Sequence, residues 1–136
     1  MKTWLAVVLL VAAVLASPAA GASRAARWFL VPGRSVSCEM GFRRPGLHPP
    51  TYVYCLAYKG GSPERTALSV QMNPSARLSI CHGCIGNAPT PDPTLKAGHS
   101  ISLGPFRCTA LWNAVRCIVT KTGHGFVLRL HSLKRV

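Results

Sequence analysis

The residues best suited to chemistry in this chain are its cysteines and histidines. Cys81-His82-Gly83-Cys84 has the spacing of a thiol redox motif, or of half a zinc site, and His82 beside the thiols would favour a thiolate. The surrounding sequence argues against both. A redox C-x-x-C opens a helix in a βαβ setting, whereas Gly86-Asn87 followed by Pro89, Pro91 and Pro93 denies a helix here. A structural zinc site wants a second ligand pair at similar spacing, and Cys108 and Cys117 stand nine apart with no histidine close by. The expected state of Cys81 and Cys84 is a structural disulfide, with no metal and no cofactor.

Gly123-His124-Gly125 sets a histidine between two glycines, which reads first as a hairpin turn using positive φ values. Joined to His82 or His99 and a nearby cation, His124 would resemble the paired-histidine acid–base apparatus of a small secreted ribonuclease. The spacing does not assemble that site. Other hydrolases are poorly served, because the only carboxylates are Glu39, Glu64 and Asp92, far apart in the chain, and no G-x-S-x-G elbow occurs.

Charge supplies a broader expectation. Sixteen Lys and Arg against three acids give a formal net charge of +13 over 136 residues. Such a balance attracts polyanions whatever the fold, although it also simply keeps a small protein soluble. Arg outnumbers Lys eleven to five, and the guanidinium fork suits phosphate and carboxylate. Arg43, Arg44, Arg107 and Arg116 are the candidate anion-binding residues. Tyr52, Tyr54 and Tyr58 share one face of an expected strand near Arg43 and Arg44, an arrangement compatible with stacking on bases or sugars and, more commonly, with sheet packing.

The elements that must position these groups are short strands. Met1-Lys2, the apolar run Leu5 to Leu15 and the small residues up to Ala20-Gly21-Ala22 have the grammar of a cleavable export signal, so the division expected is 1–22 signal peptide and 23–136 a single domain. The apolar run is short of the roughly 20 residues a membrane span needs. From Trp28 onward, segments rich in Val, Ile, Tyr, Thr and Cys alternate with Gly, Pro, Asn and Ser, and helical periodicity is lacking. The fold class predicted is mostly β: a small antiparallel sheet, sandwich or partly open barrel of short strands held by disulfides. Nine strands are expected, over 28–31, 35–40, 51–58, 66–72, 76–81, 100–103, 106–110, 114–120 and 125–130. Residues 23–26 read as a flexible lead-in, and 44–50 and 87–93 as proline-rich loops. The sequence shows neither an internal repeat nor a linker to a second domain.

Six cysteines, Cys38, Cys55, Cys81, Cys84, Cys108 and Cys117, allow fifteen pairings in an oxidising compartment. Cys38 and Cys55 fall on adjacent expected strands around a proline-rich loop. Cys108 and Cys117 flank a turn near Trp112-Asn113, and Cys81 with Cys84 remains by elimination.

Several runs carry a resemblance. Phe29 with Pro32 and Ser35-Val36-Ser37-Cys38, Ile80-Cys81-His82-Gly83, Gly104-Pro105-Phe106-Arg107-Cys108-Thr109, Val115-Arg116-Cys117 and Gly123-His124-Gly125-Phe126 together resemble a family of small exported actinobacterial proteins of unknown function. The resemblance spans nearly the whole chain after the leader. It departs at Ala97, where the family has an aromatic, and after Phe126, where Leu128-Arg129-Leu130-His131-Ser132 replaces the usual ending. It implies export and a β-rich disulfide domain, with no established activity. The functional expectation is a non-enzymatic binding module, secreted or associated with the cell envelope, with anionic polymers or the envelope surface as partners. The alternatives are a small secreted nuclease using His124, and an inhibitor or effector presenting the Pro89 to Pro93 loop.

Overall fold

Alternation of apolar and polar residues builds ten strands in the computed structural model, which describes residues 25–60, 62, 66–85 and 93–136. The expected leader 1–22, most of the 87–93 loop, and Glu64 and Asp92 lie outside the described residues. The first sheet is a meander of β1 (Ala25–Leu30), β2 (Val36–Phe42), β3 (Tyr52–Ala57), β4 (Leu68–Met72) and β5 (Leu78–His82). The second is another meander, of β6 (Ser100–Leu103), β7 (Phe106–Leu111), β8 (Ala114–Val119), β9 (Gly125–Arg129) and β10 (Ser132–Arg135). All pairings between these ten strands are antiparallel, and the two sheets do not close into a barrel. β1 and β2 meet β6, and β3 meets β9, so the inner faces pack as a sandwich.

Both inner faces follow one pattern. In the first sheet Phe29, Cys38, Cys55 and Val70 stand in a single cross-strand row; in the second the row is Ile101, Cys108, Cys117 and Phe126. Cys38 bonds Cys55 and Cys108 bonds Cys117, each bridge joining directly opposed residues of the second and third strands of its sheet. The two bridges meet across the core, where the sulfurs of Cys38, Cys55 and Cys117 lie within 4.8 Å of one another. Phe29, Phe106 and Phe126 are fully buried around them, each contributing about 2–3 kcal/mol by leaving water. The two sheets therefore share one meander plan without a repeat in the sequence. Val53-x-Cys55-x-Ala57 and Val115-x-Cys117-x-Val119 occupy equivalent places, but unrelated outward-facing residues between them hide the likeness in a linear reading.

The third bridge, Cys81–Cys84, closes at the exposed end of β5, completing the connectivity expected from the hairpin spacings. Three disulfides fit an oxidising environment outside the cytoplasm. Eight expected strands shift only at their ends. β1 begins three residues earlier, so Ala25 and Ala26 belong to the sheet and not to a lead-in. β10 was not foreseen: Ser132-Leu133-Lys134-Arg135 has one apolar residue and gains its place only by pairing with β9. The outer edge of β1 is partly covered, since Leu30 exchanges backbone hydrogen bonds with Pro93 and Leu95.

Candidate functional site

The outward face of the second sheet carries a regular array of cations. Inward positions of β7, β8 and β9 are taken by Phe106, Cys108, Val115, Cys117, Phe126 and Leu128, which leaves Arg107, Arg116 and Arg129 pointing to solvent. Arg107 opposes Ile118, two residues from Arg116; Arg116 opposes Val127, two residues from Arg129. The three arginines thus form a diagonal across three adjacent strands, with steps of roughly 7–8 Å between backbone positions. Lys134 lies beyond Val127 on β10, and Ser100, Ser102 and Thr109 line the β6 side, where Ser100 and Thr109 share a 2.7 Å hydroxyl hydrogen bond. Among the described residues the only carboxylate side chain is Glu39, on the other sheet.

The diagonal ends at a cleft of about 530 Å³ lined by Gly33, Arg34, Ser35, Lys59, Gly60, Asn113, Arg129, Leu130 and His131. Meander geometry gathers these residues. The turns β1–β2, β3–β4, β7–β8 and β9–β10 all fall at one end of the sandwich, and each contributes. Pro32-Gly33 makes a tight turn in which Arg34 N–H donates to Val31 O at 3.0 Å, with Gly33 at φ +87° and Arg34 itself left-handed at φ 59°. Asn113, left-handed at φ 51°, donates its N–H to Pro32 O at 2.9 Å and accepts from Ser35 Oγ at 3.0 Å. A methyl group at Gly33 would collide with Asn113 Oδ1, so this glycine also makes room for the asparagine. The result is a braced polar floor with Arg34, Lys59, Arg129 and His131 around it.

The other candidates fare differently. Arg107 and Arg116 stand on the open face as just described. Arg44 is already engaged: its guanidinium bonds Glu39 and donates to Tyr52 Oη at 2.7 Å, while Tyr52 Oη donates to Glu39 at 2.5 Å. Burial, then the hydrogen bond and negative charge of Glu39, push the Tyr52 hydroxyl up to about 12. Arg44, expected among the anion-binding residues, is thus paired within the protein, unlike the open Arg107 and Arg116. Arg43 lies over the Phe42 ring, 5.1 Å from its centroid. Tyr52 and Tyr54 share the outward side of β3, but Tyr52 is buried against Gly41, and Tyr58 lies past the strand's end with its hydroxyl bonded to Ser62 O at 3.0 Å.

His82 and His124 are not brought together. His82 pairs with Leu68 at one end of β5, whereas His124 sits with Ser75, Ala76 and Arg135 beyond the opposite end. Only Gly123 of the glycines flanking His124 has positive φ; Gly125 is required because a Cβ there would run into the Cys117 carbonyl oxygen. The clustered Cys38, Cys55 and Cys117 sulfurs are committed to disulfides and offer no thiolate to a metal. Arg34, Lys59, Asn113, Arg129 and His131 were missed in the sequence. Comparison with protein-family models, with curated proteins and with solved structures returns no match to this chain.

Proposed function

We propose that the chain is exported and acts outside the cytoplasm, at or near the cell envelope, as a non-catalytic binding module for anionic polymers. The carrying observation is the Arg107–Arg116–Arg129 diagonal on an open face. A sheet face bearing cations at regular intervals neutralises a linear polyanion by releasing its counterions, so affinity depends steeply on salt. The apolar leader and the three disulfides support the same compartment.

Retention of the purified disulfide-bonded protein on immobilised heparin across a salt series tests the reading. Wild-type protein elutes later than Arg107→Ser/Arg116→Thr, and the double variant loses roughly one unit of log–log salt slope per cation removed. Retention that does not respond to salt, or that is equal for the two proteins, refutes it.

A further inference from the structure

The cleft at the end of the diagonal offers more than bulk attraction. Its cations Arg34 and Lys59 come from two separate turns and Arg129 from a strand end, so their convergence reflects the fold and is not a run of charge in the sequence. Its floor is fixed by the Ser35–Asn113 hydrogen bond, with Ser35 only 8% exposed. Because Asn113 accepts through Oδ1, its amide N–H groups remain as donors, suited to an oxyanion. Arg34 occupies a left-handed conformation that a non-glycine residue adopts at a cost, in a turn where glycine would fit better. A side chain held where glycine is preferred points to a use for that side chain. Arg129 belongs both to the diagonal and to the cleft wall, so the two surfaces are continuous.

We infer that this cleft is a subsite for one compact oxyanion, a sulfate, phosphate or carboxylate, carried by a linear anionic polysaccharide whose chain runs along the arginine diagonal. This rests on the polyanion reading given above. A polysaccharide is favoured over nucleic acid because the outward positions of the second sheet hold no aromatic residue among those described, whereas single-strand binders stack successive bases on aromatic platforms. Serine and threonine hydroxyls at Ser100, Ser102, Thr109 and Ser132 instead suit sugar hydroxyls. Trp112, 68% exposed and next to Asn113 in the chain, serves as a fluorescent reporter in a Trp28→Phe background, since Trp28 is also exposed.

The test titrates full disulfide-bonded protein with a heparin hexasaccharide, with inorganic phosphate and with oligo-dT, following Trp112 fluorescence and calorimetry. Arg34→Gly/Lys59→Ala weakens the hexasaccharide by about tenfold or more, as expected for lost charge-assisted contacts. Its melting temperature does not fall, because glycine suits the turn at position 34. Arg107→Ser/Arg116→Thr weakens long heparin while leaving the response to inorganic phosphate intact. Hexasaccharide affinity unchanged in Arg34→Gly/Lys59→Ala overturns the cleft assignment while long-heparin retention still upholds the polyanion reading. Failure of wild-type protein to bind heparin of any length removes both. Inorganic phosphate binding as tightly as the hexasaccharide makes the cleft a free-anion site and overturns the polymer assignment. Oligo-dT binding as tightly as the hexasaccharide replaces the polysaccharide with nucleic acid.

Discussion

The two sheets share an interior and differ in everything they show to solvent. Each buries a row of two bridged cysteines flanked by a phenylalanine and an aliphatic residue. Outside, the first sheet presents Trp28, Glu39, Tyr54, Gln71 and Ser79 in one row, and Tyr52, Leu56 and Ser69 on that side are themselves largely covered. The second presents exposed arginines and hydroxyls. Packing between sheets constrains every second residue to fit its neighbours, while the intervening positions carry no such demand. The crosslinked core is therefore the scaffold, and the binding role proposed above falls to the outward residues of the second sheet.

The division between scaffold and binding face is tested most severely at the bridges. Removing Cys38–Cys55 or Cys108–Cys117 by paired alanine substitution should each cost about 2–4 kcal/mol, measured by denaturant unfolding, because both close loops and both fill the core. Removing Cys81–Cys84 should cost less, about 1–2 kcal/mol, since its loop is short and its surroundings exposed. Under mild reductant in native buffer, alkylation followed by mass analysis should tag two thiols, at Cys81 and Cys84, before the other four. Equal losses for all three bridges would mean the two buried bridges add nothing to the core beyond what an exposed one adds.

Gly125→Ala should follow at about 1–3 kcal/mol, because the new methyl meets the Cys117 carbonyl oxygen and must push β9 from β8. Tyr52→Phe should cost about 1 kcal/mol in thermal or chemical unfolding, by removing the bonds to Glu39 and Arg44. It should also alter alkaline behaviour. The Tyr52 hydroxyl is raised from its ordinary value of 10.0 to about 12, so the folded state retains this proton where the unfolded chain has lost it. That part of the stability is complete below the unfolded value and declines as pH rises through about 12. The stability difference between wild type and Tyr52→Phe should therefore shrink across this window, and a flat difference would detach the tyrosine from the network. The smallest stability change belongs to Arg107→Ser/Arg116→Thr, within about 0.5 kcal/mol, even as heparin retention falls. A large loss of stability there would make the outer arginines part of the scaffold.

Much of the interior was legible because burial imposes period-two alternation, as in Phe106-x-Cys108-x-Ala110 and Val115-x-Cys117-x-Val119. Hairpin spacing then suffices to pair the cysteines. The cleft was hidden for a different reason. Its residues belong to turns separated by up to about a hundred positions, and only the alternation of turns between the two ends of a meander gathers them. Pro32-Gly33 and Trp112-Asn113 do signal turns, yet the β9–β10 turn bearing His131 becomes visible only once the weakly apolar β10 is admitted as a strand. The Arg44 pairing was not legible because its partners, Glu39 and Tyr52, stand five and eight residues away and meet it only through the register of β2 and β3.

The mutual closeness of Cys38, Cys55 and Cys117 also bears on chemical heterogeneity. Were one interior bond opened, the released sulfur would lie beside an intact one, within reach of exchange that never involves solvent. The product would join the layers to each other in place of stitching strands within a layer. Exchange itself conserves the two thiols released by reduction; once these reoxidise to a second bridge between the layers the product weighs the same as the native species, so peptide mapping under non-reducing conditions, and not intact mass, is the measurement that tells the isomers apart.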